Sequence, residues 1–478
     1  MSARFDTLWD GPNRLWCGVF ALAILAGTQP PDSQAQETLH PGWSSVTVGS
    51  GVKPALDFDA DDHIHIMGMT ETPGGLVWHA SATTAAGPWS PTPVAEGYFY
   101  GPGDLRVDQL GRAHLAWHSH DNEAPQHVMV ATDGTVSSHI LASPGQHDGW
   151  DNSLFVDPAG TVHMACVDPS PFGAVHSLQY GSFDGATWSF DSAVPGSGSF
   201  MYGLNTSIAI GPDGKAHVLY CQSADWVADG ALVHAIKAPS GWTFDPIDTG
   251  VGVGRFPSLA IDQAGNLHAT WLDVDAVGQT TGTVQYASLG AGGDTWQVTP
   301  VITLDALSLG FSGARKSTSI AVDQNGIPHI AFADTRTVSY TVMEPGGGWR
   351  RTTILDHPAG TYRSLAVLRL DSTGRPAIAI WQSIGGDDSV RLLRQLPDSA
   401  PGTSIDLGLA VTATAGEAVQ ITYTTAGAGT YQLQWSPDLE SWSDLGSAVI
   451  AGPAPVPVSA SDVGGPVRRY YRVRYSTP

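Results

Sequence analysis

Positive charge is scarce in this chain. Its 478 residues hold 22 Lys and Arg against 45 Asp and Glu, a formal charge of −23 at pH 7. Such a surface repels phosphate backbones, which excludes nucleic acid as a partner. Long apolar runs are absent beyond residue 35, so no later segment is suited to crossing a membrane. The one apolar run, Leu15 to Gly27, follows Arg4 and Arg14 and precedes the small residues of Ser33-Gln34-Ala35. Residues 1–35 therefore read as a secretory signal peptide, and the protein as secreted, either extracellular or periplasmic. Asp6 and Asp10 are unusual in such a leader and leave an uncleaved anchor as the alternative. Cysteine is also rare: of three, Cys17 leaves with the leader, and Cys166 and Cys221 remain. Export permits a disulfide between them, and two buried free thiols are the other reading.

Glycine and tryptophan are abundant, with 56 and 16 residues, and 42% of the chain is apolar while 14% is charged. That balance suits a large, turn-rich all-β protein. The organising unit is Ser258-Leu259-Ala260-Ile261-Asp262-Gln263-Ala264-Gly265-Asn266-Leu267-His268-Ala269-Thr270-Trp271. It reads as a short strand, a tight turn and a second strand. Asp262 can accept turn amides, and Gly265 can take the positive φ such turns need. The unit recurs with His at 65, 114, 163, 217, 268 and 329, and with Ala377 in a degraded seventh copy, at spacings of 49, 49, 54, 51, 61 and 48 residues. A third strand follows, carrying His79, Tyr180, His234, Tyr286 or Tyr340, and then a Trp opens a fourth: Trp89, Trp188, Trp242, Trp296 or Trp349. Four-stranded units repeating every fifty or so residues predict a seven-bladed β-propeller. The seventh copy lacks its Gly-Trp strand, and Gly42-Trp43-Ser44-Ser45-Val46-Thr47-Val48 supplies one from the other end of the chain. The N-terminal strand is therefore expected to close the last blade and remove its free edge.

Domain boundaries follow. The propeller occupies 36–396, 397–404 is a linker, and 405–478 alternates apolar and polar residues as a small C-terminal β-sandwich accessory domain would. Segments such as Tyr431-Gln432-Leu433-Gln434-Trp435 carry that pattern. The Trp-Ser-Pro-Asp-Leu-Glu-Ser-Trp stretch at 435–442 resembles C-terminal modules of secreted bacterial proteins.

The blades resemble sialidase-like propellers with BNR or Asp-box repeats. Ser182-Phe183-Asp184-Gly185-Ala186-Thr187-Trp188 is one residue shorter than the usual box, and the other turns keep only Gly and Trp. The resemblance implies the fold and leaves the chemistry open, because sialidases, polysaccharide lyases and lectins share it.

Repeated His and Asp residues report scaffold, so the unrepeated segments entering each first strand are the candidate site. Three consecutive blades supply Arg255, Arg315 with Lys316, and Arg363 at the mouth of the channel. Cations clustered in so acidic a chain predict an anion clamp, with guanidinium forks for carboxylate or sulfate. Pairing with Asp273 and Asp334 is the plainer reading of these arginines. Opposite them lie His118, His120 and His147, with Trp150, Asp151 and Tyr100 as further substrate contacts. The imidazoles suit acid/base work, with Tyr202 and Tyr362 as partners. They equally suit a divalent metal ion, or an ordinary polar loop.

A cation clamp facing His and Tyr is what β-elimination next to a uronic acid requires. In this respect the mouth is similar to that of ulvan-type polysaccharide lyases, which use His, Tyr and Arg. The expectation is a monomer acting on an anionic polysaccharide as a lyase. A non-catalytic lectin is the alternative. A sialidase-like hydrolase ranks below both, because Glu is scarce in the blades (Glu71, Glu96, Glu123, Glu344) and no Arg-Ile-Pro motif occurs near the first.

Overall fold

The computed structural model describes residues 37–478, except 71–73, 98, 120, 122–123, 142–149, 170–175, 195–200, 224–228, 275–280, 306–316, 357–361, 385, 397–409, 413–418, 425–428, 437–442, 452–456, 463–469 and 477–478. The leader, with its expected signal peptide, lies outside them. No described helix is long and apolar enough to cross a membrane.

The described residues are all-β. Up to Gln395 they form seven antiparallel sheets in a propeller arrangement, five of them built from consecutive strands alone and two joined by a strand from the N-terminal segment. The fifth blade is representative, with Arg255–Ile261, Leu267–Val274, Gly282–Leu289 and Gln297–Leu304 paired in that order. Neighbouring innermost strands pack against one another in sequence, and Tyr362–Leu370 packs back on Val52–Phe58.

The turn between first and second strands is built as its residues require. Asp108, Asp157, Asp262, Asp323 and Asp371 each accept the backbone N–H four residues on at 2.8–2.9 Å. Glycine three residues after each Asp takes φ between 74° and 85°, which costs other residues strain. In blade one Asp62 occupies that position at φ 62°. Its side chain accepts the Ser372 amide at 2.8 Å, joining blade one to blade seven.

The strand Trp43–Ser50 pairs with Asp387–Gln395, Trp43 opposite Gln395, and completes the sheet containing Tyr362–Leu370. Just before it, Thr38–Leu39 adds a fifth strand to the sixth blade by pairing with Asp356 and Leu355. Sequence reading missed this second attachment. Glu37 holds it with a two-pronged bond from Arg391, at 2.7 and 2.9 Å, and accepts Gln382 Nε2 at 2.8 Å. The N-terminal segment thus binds two blades.

Aromatic residues join blades at the outer edge. The fourth-strand Trp of one blade meets the third-strand ring of its predecessor edge-on. Trp188 meets His127, Trp242 meets Tyr180, Trp296 meets His234 and Trp349 meets Tyr286, with centroids 5.1–5.6 Å apart and planes 73–89° to each other. Trp43 makes the same contact with Tyr340, at 5.5 Å and 63°. Such pairs contribute about 0.5–1.5 kcal/mol each beyond the area they bury.

Cys166 and Cys221 are buried free thiols. Cys166 stands three residues after His163 and Cys221 four after His217, and the two face away from each other, which removes the disulfide reading. Cys166 packs with Ala116 and Leu154 towards blade two, while Cys221 Sγ lies 3.6 Å from the Val253 carbonyl of blade five.

Beyond the propeller, Ala410–Thr412, Val419–Thr424 and Pro457–Asp462 form one sheet. Gly429–Ser436 centres another with Ser443–Asp444, Val449–Ala451 and Tyr470–Ser476, around the buried Tyr431 and Leu433.

Candidate functional site

The mouth is framed by the starts of the innermost strands, and most of those strands do not begin regularly. Pairing breaks between Val52 and Ala55, Tyr100 and Asp104, Trp150 and Ser153, Arg255 and Ser258, and Tyr362 and Ala366. Bulges of this kind re-aim side chains at channel rims. At three of them a non-glycine residue is left-handed: Lys53 at φ 51°, Asp151 at 52° and Phe256 at 54°. All three stand twelve residues before their repeat His. A non-glycine residue held this way costs on the order of 1 kcal/mol or more, and persists only where the surroundings hold it. Two of the clamps are visible. Thr206 Oγ1 donates to the Asp151 carbonyl at 2.6 Å, and Thr318 Oγ1 to the Phe256 carbonyl at 2.8 Å.

Around this frame the expected residues are distributed as follows. His118, 2% exposed, lies on Ala113–Ser119 with Tyr100 as its ladder partner. Trp150 and the buried Asp151 begin the neighbouring blade's innermost strand. Arg255 is 4% exposed and begins the fifth blade's. Tyr202 lies near the start of Met201–Ile210, and Tyr362 and Arg363 begin Tyr362–Leu370. For Tyr100, Trp150, Tyr202, Tyr362 and Arg363 the backbone position is what the structure describes. His120, His147, Arg315 and Lys316 lie outside the described residues. Asp273, the plain partner for Arg255, accepts from Trp271 Nε1 at 2.8 Å, Gln285 Nε2 at 2.9 Å and Gly254 N–H at 3.2 Å. Burial raises its carboxyl above the usual range. Lys53 is a mouth cation that sequence reading missed. It is buried at 7% exposure, and its alignment with Asp151 and Phe256 was the available signal.

Below the mouth, side-chain oxygens fasten one innermost strand to the next. Ser153 accepts Ile208 N–H, Ser207 accepts Leu259, Ser258 accepts Ile320 and Ser319 accepts Leu368, at 3.0–3.1 Å. Asp104 does the same for Leu154, and Asp57 for Val107, both at 2.9 Å. The serine series stops at blade seven, where Val367 stands. Charge replaces it there: Arg369 reaches Asp57 at 3.5 Å and Asp104 at 3.9 Å, and Arg106 reaches Asp104 at 3.2 Å. Burial pushes the Asp57 carboxyl up to about 6, and Arg106 opposes the shift. A cavity of about 50 Å³ remains among these groups, room for water but not for a sugar.

In the six blades that carry one, the repeat histidine bonds through Nδ1 to the ring on the third strand. In blade two, Trp188 Nε1–H points to His127 Nδ1 at 3.4 Å, His127 Nε2 lies 3.0 Å from His114 Nδ1, and His114 Nε2 lies 3.3 Å from Asp108. Carboxylate at one end and indole N–H at the other fix both tautomers. In blades three and five a tyrosine hydroxyl donates to the repeat His Nδ1 at 2.8 Å; Tyr340 does so for His329. Burial lowers the pKa of each repeat His. Their scaffold role is the one expected from repetition. Among the described residues no group of three or more His, Cys, Asp or Glu is placed to hold a metal ion.

No protein-family model and no curated protein matches this chain. Solved structures do resemble it. A lectin from Burkholderia pseudomallei is 10% identical, with a TM-score of 0.51 over 71% of this chain and 95% of its own. A polysaccharide lyase is 10% identical at 0.47, over 73% of this chain and 90% of that one. An α-L-arabinanase of Penicillium chrysogenum is 10% identical at 0.42, over 75% and 98%. At such identities the likeness shows a shared propeller fold and nothing of chemistry.

Proposed function

We propose that this is a secreted carbohydrate-active propeller that binds an anionic polysaccharide at its mouth and cleaves it by β-elimination next to a uronic acid. One observation carries the reading. Lys53, Asp151 and Phe256 hold left-handed backbone at equivalent bulges around one rim, where His118 and Arg255 also lie. Strain of this kind collects where side chains are aimed at a ligand. In the reaction, a cation such as Arg255 or Lys53 neutralises the uronate carboxylate and acidifies the C5 proton. A His or Tyr base removes that proton, the C4–O bond breaks as the C4–C5 double bond forms, and an acid protonates the departing oxygen. His118 and Tyr202 are the residues we assign to these roles first, with Tyr362, His120 and His147 as their partners.

The test is incubation with a panel of uronic-acid polysaccharides, following the ultraviolet absorbance of the unsaturated uronate. Reducing ends released without that absorbance would make the protein a hydrolase. Binding without either product would make it a lectin. That second reading draws support from the burial of His118 and Arg255, since a buried imidazole and guanidinium hold a rim rigid without having to meet substrate.

A further inference from the structure

One blade lacks its carboxylate. Asp59, Asp108, Asp157, Asp262 and Asp323 face the Nε2 of their repeat His at 3.2–3.9 Å. In blade four the equivalent residue is Gly211. The turn still closes, with Gly214 N–H donating to the Gly211 carbonyl at 2.8 Å. Gly211 is not left-handed, so the backbone does not require a glycine there. What the glycine provides is space. A cavity of about 470 Å³ opens between blades four and five on the face of the Asp turns, opposite the mouth. That is the size of a small-ligand site.

The groups around it have unspent hydrogen-bonding capacity. The five other repeat histidines are 1–8% exposed, whereas His217 is only partly buried. Its Nδ1 lies 3.0 Å from His234 Nε2. Among the described residues the His217 ring makes its one hydrogen bond at Nδ1, and Nδ1 of His234, which is 1% exposed, has no hydrogen-bond partner. If the third-strand ring donates here as in the sister blades, His217 presents an Nε2–H donor to the cavity. Asp213 flanks the same spot. A Cβ placed on Gly211 would lie 2.6 Å from Asp213 Oδ1 and 3.2 Å from His217 Nε2. Ile236, Ile261 and Leu289 provide an aliphatic wall.

We infer that this cleft is a second binding site, taking one neutral sugar residue at the end of a glycan. Adjacent hydroxyls would accept from His217 Nε2–H and donate to Asp213, with the C–H face of the ring on the aliphatic wall. Donor and acceptor side by side match a diol. The Asp213 carboxylate disfavours an anion, and its own cation, Lys215, is already paired with it. This inference does not depend on the mouth being catalytic.

The test uses the full chain and the methyl glycosides of galactose, mannose, fucose and rhamnose. Saturable shifts of the His217 and His234 ring protons are expected in NMR titrations with at least one of them. The double change Gly211→Asp with Asp213→Ala turns Gly-Pro-Asp-Gly into the Asp-Pro-Ala-Gly that blade three carries at 157–160. It should refill the cleft and weaken binding at least tenfold, while any reaction at the mouth is unchanged. Asp213→Ala alone, at an exposed position, should also weaken binding about tenfold, and it guards against misfolding of the double variant. No saturable shift with any of the four, undiminished binding by both variants, or tighter binding of glucuronate than of every neutral glycoside would each overturn the proposal.

Discussion

His79 is 9% exposed, and burial holds its pKa at about 3 against an ordinary 6.5. Its Nε2 lies 3.1 Å from Nδ1 of His65. Blades three, five and six use tyrosine for the same bond, so His79→Tyr keeps the connection and removes a titrating group. The sign follows from linkage. Between its folded and unfolded pKa values the unfolded chain binds a proton that the folded one refuses. The stability associated with a neutral His79 is therefore complete above pH 6.5 and is lost progressively as pH falls towards 3. From about pH 7 to about pH 4.5 the loss should be about 2–3 kcal/mol, at roughly 1.4 kcal/mol per pH unit. The larger ring costs packing energy at both pH values, so the comparison that matters is the slope. Urea unfolding of parent and variant at the two pH values measures it. A variant that loses as much stability on acidification as the parent would refute the argument, because the buried imidazole would not be what titrates.

Asp57→Asn should act with the opposite sign. A carboxyl raised to about 6 favours the fold below its unfolded pKa, and that benefit is lost as pH rises through 6; the variant should be relatively more stable than the parent at neutral pH than at about pH 4, as urea unfolding would show. Deleting residues 36–50 removes the strand paired with Asp387–Gln395 and the Glu37–Arg391 bond, and should abolish cooperative thermal unfolding; calorimetry showing an unchanged transition would count against it. For the mouth, Arg255→Ala should weaken polysaccharide binding about ten- to a hundredfold, the worth of a charge-assisted hydrogen bond. His118→Ala should lower turnover far more than affinity, so titration and steady-state kinetics on both variants distinguish clamp from proton relay. Truncation after residue 404 should leave the propeller's unfolding transition in place.

Sequence made the repeat readable because its turn has a strict requirement: a carboxylate to collect amides and a residue tolerant of positive φ. Asp262 and Gly265 satisfy it visibly, and Trp43 could be matched to Trp349 by pattern. The edge-on meeting of Trp and third-strand ring was not readable, although both residues were picked out, because it joins different blades and only the packing relates them. Ser153, Ser207, Ser258 and Ser319 share a register position but look like ordinary strand serines until the neighbouring amide is seen. Lys53 escaped because a bulge has no composition of its own, and only the spacing of twelve residues to His65 marks its place. Gly211 was passed over for the opposite reason: a glycine in a turn looks unexceptional, and its meaning lies in the carboxylate it replaces.

The strand Asp387–Gln395 is hydrogen-bonded on both sides, to Trp43–Ser50 and to Pro376–Ile384, and Leu396 N–H donates to the Gly42 carbonyl at 2.9 Å where the chain leaves it. Consider a molecule tethered through the residues that follow. A pull on them along the strand would load two ladders in shear, so many hydrogen bonds would have to yield together instead of one after another. Glu37 pins the opposite end of the chain to the middle of the same strand, through Arg391. Tension would thus be shared by the first and last segments of the propeller, and a tethered protein would resist being torn open from the end by which it is held.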